Sequence, residues 1–435
     1  MIQEKVQEIL TEKEPDRPKS QVEQFIDWLF DQYDYRFNVI TQRPEYSQKD
    51  ENIWYPVDDI FVNSLEVKAR IYGFSKNMAS MINTILKSRH IPHQNDIEIY
   101  FKKLPKTEKA NIHRDIIITP TIKAFFDKLK IREFESFDRQ TLYKYFQKWM
   151  IATVNSALGK KPNDVMLVLM GDQGKMKTSF LRHLTPKVLH DKYYVEGHID
   201  PSLTNNNTAN YLCEKFIINI DDQLDQIFNK DFNSLKSIIS VSQVTNRRVY
   251  SVYDKTRKRI ASFVGSVNNT NFLIDSENRR YFVLNVEEID PTYSTIDPNM
   301  MWAEAYFIAQ KTDPYKVFQK EDYLMISNIA NQYTVQSYEQ FLLGKFFRPQ
   351  PNDKYNTPLL MLASEITHEL SKYTKDKLSI RKVGLELKRM RFEQVNSRTK
   401  RYDDQPRLFW RVYVKKEYVN EFLDYLESDV GYFVN

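Results

Sequence analysis

Residues 164–170, DVMLVLM, form a continuous apolar run with no 3.6-residue period, bounded by Pro162 and Gly171 and followed at once by GDQGKMKTSFLRHL. A run of this texture reads as a strand buried on both faces, which demands strands beside it and helices above and below it. FIINI (216–220) and ASFVGSV (261–267) share the texture, and YFVLNV (281–286) is a candidate fourth. Helical stretches separate these runs, so the expectation is an α/β fold with a sheet core over roughly 160–290.

The flanks read differently. Residues 1–20 suggest a frayed helix and a polar linker with Pro15 and Pro18, and SQVEQFIDWLFDQYDYRFNVIT then opens on a plausible N-cap at Ser20 and places Val22, Phe25, Ile26, Leu29 and Phe30 at helical spacing. A short strand, YRFNVI, is expected next. VNSLEVKARIYG, SKNMASMINTILKSRH, TPTIKAFFDKLKI and DRQTLYKYFQKWMIATVNSAL predict a mostly helical stretch over 60–160. Near the C-terminus, TPLLMLASEITHEL, SIRKVGLELKRMRF and RLFWRVYVKK read helix, helix, strand, the order of a small winged helix-turn-helix. The 435 residues allow two or three domains. We divide them into a helical N-terminal domain (1–110), a helical collar (111–160), a phosphate-loop core (161–315) and a winged-helix-like module (316–435).

Composition narrows the class. With 41% hydrophobic and 28% charged residues the chain is not disordered as a whole. Its one cysteine, Cys213, excludes an intramolecular disulfide framework and a multi-cysteine zinc cluster, and fits a reducing, cytoplasmic setting. A polar N-terminus and the lack of an eighteen-residue apolar run predict neither leader nor membrane span. The net charge of +5 is small but unevenly spread: residues 372–401 carry eleven Lys/Arg against three Asp/Glu, and residues 245–260 six against one.

Only nine glycines occur, and two of them, Gly171 and Gly174, fall within four residues after the first buried run. Strand, glycine turn and amphipathic helix in that order suit a polyphosphate, which needs close backbone approach, convergent N–H donors and one mobile cation. The candidate nucleotide loop is Gly171, Asp172, Gln173, Gly174, Lys175, Met176, Lys177, Thr178 and Ser179, with Lys177 reaching the β- and γ-phosphates of ATP and the Thr178 hydroxyl ligating Mg²⁺. Met176 stands where a glycine is usual before the lysine, and an isolated match of this kind is more often an ordinary strand-to-helix turn with an incidental Lys-Thr. Asp221 and Asp222 end the FIINI run, where an acid pair would hold Mg²⁺ through water and polarise the attacking water. Such residues also end strands for local reasons. Asn268, after ASFVGSV, would touch the γ-phosphate or the water. Arg279 and Arg280, before YFVLNV, are either a surface pair or fingers that stabilise transition-state charge on a neighbouring subunit.

In order, GDQGKMKTSFLRHL, IINIDD, LKSIIS, SFVGSVNNTNFL, ENRRYFVL and MWAEAY resemble the virulence-associated protein E family over roughly residues 160–310. These are ring-forming ATPases related to superfamily 3 helicases of phages, islands and conjugative elements. The resemblance implies an AAA+-type phosphate-loop core, ATP hydrolysis between subunits of a ring, with a hexamer expected, and DNA unwinding in element replication. It places Lys177 and Thr178 on the phosphate-loop pair, Asp221 and Asp222 on the Mg²⁺ acids, Asn268 on the sensor and Arg279 or Arg280 on the finger. Asn219 falls where relatives often carry another acid, and YDYRFNVITQRPEY looks like the small domain that precedes the ATPase. NRRVYSVYDKTRKRI is then implied to be a hairpin that grips single-stranded DNA in the pore, turning at 254–256. Arg247, Lys255, Arg257 and Lys258 would meet phosphates while Tyr250 or Tyr253 stacks on bases.

In SIRKVGLELKRMRF, Ile380, Val383, Leu387 and Met390 would face a core, leaving Arg381, Lys382, Lys388, Arg389 and Arg391 to DNA or to an acidic protein partner. His90 and His93 lack companions at ligand spacing, Cys213 suits a core position, and Trp302 suits a packing anchor. The leading expectation is an Mg²⁺-dependent ATPase that moves along DNA as a ring, a helicase or translocase of a mobile element. Its rivals are a nucleotide-gated DNA-binding module with little turnover and a ring NTPase that remodels a protein.

Overall fold

The apolar runs at 166–170, 217–220, 262–267 and 281–286 assemble side by side, because each is buried on both faces and none is stable alone. The computed structural model describes residues 18–422 apart from 52, 75–77, 108–109, 114–115, 134–136, 198, 222–223, 225, 228–230, 247–253, 269–272, 274–277, 334–336, 352–357, 399–401 and 403–404. The chain divides into two compact units, one of residues 1–270 with 279–329 and one of residues 271–278 with 330–435.

In the first unit, α1 (Gln21–Gln32) starts at a capping box in which Ser20 and Glu23 satisfy each other's backbone amides. The N-terminal domain expected to be helical also holds a four-stranded sheet, of which only the first strand, at YRFNVI, was expected: β1 (Asp34–Asn38), β2 (Arg43–Ser47), β3 (Tyr55–Pro56) and β4 (His93–Gln94), in the order β3-β2-β1-β4. Helices α2 (Asp59–Ile71), α3 (Met78–Leu86) and α4 (Asp96–Lys103) accompany it, and Phe25, Leu29, Val62, Leu65 and Ile82 make its core. The proline in RPEY hid β2, since Pro44 lies inside a strand but on a hairpin whose partner register runs Phe37 to Pro44. A hairpin of β5 (Asn111–His113) and β6 (Ile116–Ile118) and the helix α5 (Pro120–Phe126) follow. The end of TPTIKAFFDKLKI also departs from expectation: β7 (Leu129–Ile131) is a strand paired antiparallel to the last strand of the central sheet. Local helical spacing lost to the edge pairing available there.

The long helix α6 (Arg139–Ala157) is buried along most of its length and leads to β8 (Met166–Met170). Then come α7 (Lys177–His183), α8 (Lys187–Tyr193), β9 (Tyr194–Glu196), α9 (Asn206–Glu214), β10 (Ile217–Ile220), α10 (Phe232–Ser240), β11 (Gln243–Asn246), β12 (Lys255–Lys258), β13 (Ser262–Val267), β14 (Tyr281–Ile289), α11 (Pro298–Lys311) and α12 (Lys320–Asn331). The central sheet runs β7-β14-β8-β13-β10-β9, parallel throughout except at β7. Strand β8 is thus flanked by β13 and β14, both late in the chain, and ligands of open α/β sheets commonly bind beyond the C-terminal end of a strand so placed.

A buried ion cluster joins the N-terminal sheet to α8. Arg36 meets Glu45 at 2.5 Å and Asp96 at 2.8 Å, Tyr193 donates to Asp96 at 2.7 Å, and Lys192 donates to Glu45 at 3.0 Å. Burial, with Asp96 adding to it, pushes the Tyr193 hydroxyl far above its usual range, so it remains a donor.

The second unit holds α13 (Tyr338–Phe346), β15 (Phe347–Arg348), β16 (Leu359–Met361), α14 (Ala363–Ser371), α15 (Ile380–Arg389), β17 (Glu393–Ser397) and β18 (Arg407–Val414), with β18 pairing β15, β16 and β17. Leu343, Phe346, Val383, Leu387 and Val412 lie in its core. Leu359–Met361 is a strand rather than the start of a helix, and Ile380, expected in the core, is 53% exposed at the first turn of α15.

Candidate functional site

The residues of the loop after β8 are positioned by one close approach. Gly171 has φ +152°, and a Cβ there would collide with the carbonyl oxygen of Val286 on β14. The loop therefore lies flat on the sheet's edge only with glycine at 171. Its other end turns at Met176, whose φ of +58° and ψ of +20° are left-handed, so a residue with a side chain makes the turn that glycine usually makes. Lys177 and Thr178 open α7, and Phe180 and Leu181 bury its other side.

Five side chains converge above the C-terminal ends of β8, β10 and β13. Lys177, only 5% exposed, donates through Nζ to the carbonyl oxygens of Gly171 at 2.7 Å and Asp172 at 2.8 Å and to Asn268 Oδ1 at 2.9 Å. Thr178 donates its hydroxyl to Asp221 Oδ2, and Ser266 donates its hydroxyl to Asp221 Oδ1. Asp172, Gln173, Gly174, Met176 and Ser179 are exposed, and Lys175 is half-buried. Asp222 lies outside the described residues.

The donor set suits a hard divalent cation with a polyphosphate. A threonine hydroxyl and a carboxylate oxygen stand together, and Mg²⁺ is ordinarily held by one or two carboxylates plus phosphate oxygens. The flat glycine at 171 leaves the loop amides approachable, and Lys177 holds one positive charge beside them. No cluster of three or more His, Cys, Asp or Glu able to hold a metal by itself occurs among the described residues.

Asn219 is fully buried, and its amide donates to the Tyr194 hydroxyl at 3.0 Å and toward Glu196 at 3.4 Å, on the neighbouring strand rather than at Thr178. Glu196 also takes Arg182 Nε of α7 at 3.0 Å. Burial raises the Glu196 carboxyl, but Arg182 and Tyr194 outweigh it and leave it below the usual range. Helix α7 is thereby fastened to the sheet at two levels one turn apart, Thr178 on Asp221 and Arg182 on Glu196.

Arg279 and Arg280 are not brought to this site. They precede β14, whose Tyr281 pairs with Met166 at the start of β8, so about 16 Å of strand separates them from the loop of their own subunit. Arg279 is exposed, and Arg280 Nε donates to Ser240 at 2.6 Å.

The basic segments divide as well. Strands β11 and β12 do pair as a hairpin, but Asn246 lies opposite Lys255 and Thr245 opposite Thr256, so Lys255 and Thr256 are paired strand residues and not the expected turn. Lys255 is therefore in the stem, where it reaches Gln42 Oε1, and Lys258 is exposed and donates to the carbonyl oxygen of Gly159 at 3.0 Å. Arg257 was expected to face DNA phosphate. Its side chain is instead inside, paired with Glu214 at 3.1 Å and donating to Asn210 and Asn246, because β12 turns it onto α9. Arg247, Tyr250 and Tyr253 lie outside the described residues. On α15 Arg381, Lys382 and Lys388 are exposed along with Arg391 beyond it, while Arg389 sits 3.5 Å from Glu386.

Sequence reasoning missed Ser266, which nothing marks before β13 is known to lie beside β10. It also missed Glu304 of MWAEAY, although Trp302 of the same motif is the packing anchor expected. Trp302 is buried, donates to the Leu184 carbonyl oxygen at 2.7 Å and packs edge-on to Phe216, and Glu304 caps α5 through the amides of Thr121 and Ile122 at 2.9 and 3.0 Å. Cys213 is buried on α9, its thiol 3.7 Å from the Arg257 carbonyl oxygen.

No curated protein matches the chain. Solved structures that match include the apo NrS-1 C-terminal region, at 13% identity and a TM-score of 0.44 over 92% of this chain and 100% of that one. An A-form apo structure of the same region gives 14% and 0.46 over 91% and 100%. A structure described as SCCmec type IV Cch, active helicase, gives 9% and 0.34 over 89% and 93%. The family profile of the virulence-associated protein E-like domain matches residues 119–335, the stretch that contains the whole central sheet and the converging side chains. By that match the chain belongs to the virulence-associated protein E-like proteins, with the family's domain at residues 119–335.

Proposed function

We propose that this chain is an Mg²⁺-dependent ATPase with an AAA+-type phosphate-loop core, working on DNA as a ring in the replication of a phage or other mobile element. The observation that carries the reading is the convergence of Lys177, Thr178, Asp221 and Asn268 where three parallel strands end. Bound Mg²⁺ would neutralise phosphate charge and orient the γ-phosphate for in-line attack by water. Thr178 and Asp221 present its oxygen ligands. Lys177, released from the loop carbonyls, neutralises charge on the transferring group, and Asn268, released with it, orients the water with Asp222. Because Arg279 and Arg280 stand at the far end of their own sheet, a finger role for either belongs to a neighbour's nucleotide.

The DNA contacts fall to Lys255 and Lys258 on the hairpin stem, with Arg247 and the hairpin's turn, and to Arg381, Lys382 and Lys388 on α15. The second unit's order of strand, two helices and hairpin supports a winged-helix-like module for that purpose. A second reading, a nucleotide-gated DNA-binding module with slow turnover, is favoured by one observation, the left-handed Met176 in the loop.

Phosphate release by purified protein with Mg²⁺ and single-stranded DNA tests the proposal. Lys177→Ala should lower turnover by roughly a hundredfold or more, the usual loss when a charge-stabilising donor is removed. Unchanged release would refute the ATPase, and tight ATP binding without release in the unaltered protein would favour the gated module.

A further inference from the structure

Asp221 does not stand alone at the end of β10. One carboxylate oxygen takes the Thr178 hydroxyl and the other takes the Ser266 hydroxyl, so each oxygen is claimed by a different element, α7 on one side and β13 on the other. Ser266 is 4% exposed and Asp221 9%. Strands β10 and β13 run parallel with Ile220 beside Gly265, which puts Asp221 and Ser266 at the same level and facing the same side. The approach is close: a Cβ at 265 would come within 2.6 Å of the Ile220 carbonyl oxygen and 2.7 Å of the Met166 methyl. Glycine at 265 is what lets the next residue's hydroxyl reach the carboxylate.

We infer that Ser266 is a positioning residue for the metal. Resting on the phosphate-loop reading above, the inference assigns Ser266 the task of fixing the plane of the Asp221 carboxylate so that Oδ2 stays turned to Thr178. Without the Ser266 hydroxyl, the carboxylate keeps one anchor and rotates about its Cβ–Cγ bond, and the oxygen offered with Thr178 is no longer held in one place. A hydrogen bond that orients a ligating carboxylate usually sets metal affinity by a factor of about 10 to 100. The buried Ser266 hydroxyl is given to Asp221, so its effect runs through that carboxylate and depends on the metal.

The test is Mn²⁺ binding, followed by electron paramagnetic resonance, to the full-length protein saturated with a non-hydrolysable ATP analogue. Affinity for the analogue is measured in parallel with excess chelator, and a thermal melt checks folding. Ser266→Ala should weaken Mn²⁺ binding about tenfold or more while leaving metal-free analogue affinity and the melt near those of the unaltered protein. Ser266→Thr, which keeps the hydroxyl and suits a strand, should restore Mn²⁺ binding to within about twofold. If Ser266→Ala binds Mn²⁺ normally while Asp221→Asn does not, Ser266 has no positioning role and the phosphate-loop reading stands. Normal Mn²⁺ binding in both Asp221→Asn and Thr178→Val would overturn the reading beneath it. An equal loss of analogue affinity with and without metal in Ser266→Ala would mark a general packing defect and also overturn the inference.

Discussion

At the scale of single residues, the loop after β8 carries opposite requirements at its two ends. Gly171 admits no side chain, because Val286 occupies the place of a Cβ, whereas Met176 carries one through a left-handed turn. A left-handed conformation costs a residue such as methionine about 1–2 kcal/mol, and asparagine tolerates it best among residues with a side chain. Met176 is 40% exposed, so little packing is lost by replacing it. Met176→Asn is therefore expected to raise stability by about 0.5–1 kcal/mol, read as a higher denaturant midpoint at unchanged slope. A lower midpoint would mean that the methionine side chain contributes packing that outweighs its backbone strain. Lys177, Thr178 and Asp221 were legible because a strand, a glycine turn and an acid after a second buried strand form a spaced pattern along the chain. Ser266 was not, since its role exists only once β13 lies against β10.

At the scale of elements, Arg259 explains how the basic hairpin is joined to the sheet. It is fully buried at the end of β12, without a carboxylate partner among the described residues, and donates to the carbonyl oxygens of Val241 and Ala261 at 2.7 Å, Ile239 at 2.9 Å and Asn163 at 3.1 Å. Burial pulls its guanidinium down to about 10, so it stays charged at neutral pH. Two of those carbonyls belong to the end of α10, which gains a cation where its last peptide groups lack partners. Arg259→Met should cost on the order of 3 kcal/mol, seen as a lowered unfolding midpoint, with Arg259→Lys recovering only part because an ammonium cannot span four acceptors. A loss under about 0.5 kcal/mol in Arg259→Met would show that the carbonyls find other donors. The sequence counted Arg259 with the positive residues of the segment and gave no sign that this one faces inward. Arg257 shares that history, drawn into the interior by Glu214 on α9.

At the scale of the whole molecule, the central sheet separates the loop from Arg279 and Arg280 by the length of β8, so the finger role proposed above can be tested only between subunits. Lys177→Ala and Arg279→Ala proteins, each inactive alone, should regain part of the turnover when mixed, since a mixed ring contains interfaces with an intact loop facing an intact arginine. Phosphate release on mixing checks this, with Arg280→Ala as the alternative donor, and no recovery from either mixture would exclude a shared site. The sequence by itself determined that residues 160–290 form a buried sheet with a glycine turn after its first strand, because long apolar runs and paired glycines constrain the chain locally. It also determined α14, α15 and β18 of the second unit, but neither β16 before those helices nor β17 after them. Tertiary structure decided the four-stranded sheet near the N-terminus, whose short strands alternate weakly and gain their stability from pairing and from the buried Arg36, Glu45 and Asp96 cluster. It decided too which cations face water and which face carbonyls or carboxylates, and that Asp221 is held from both sides. Those outcomes depend on which strands become neighbours, and neighbours distant in sequence leave no period or spacing along the chain.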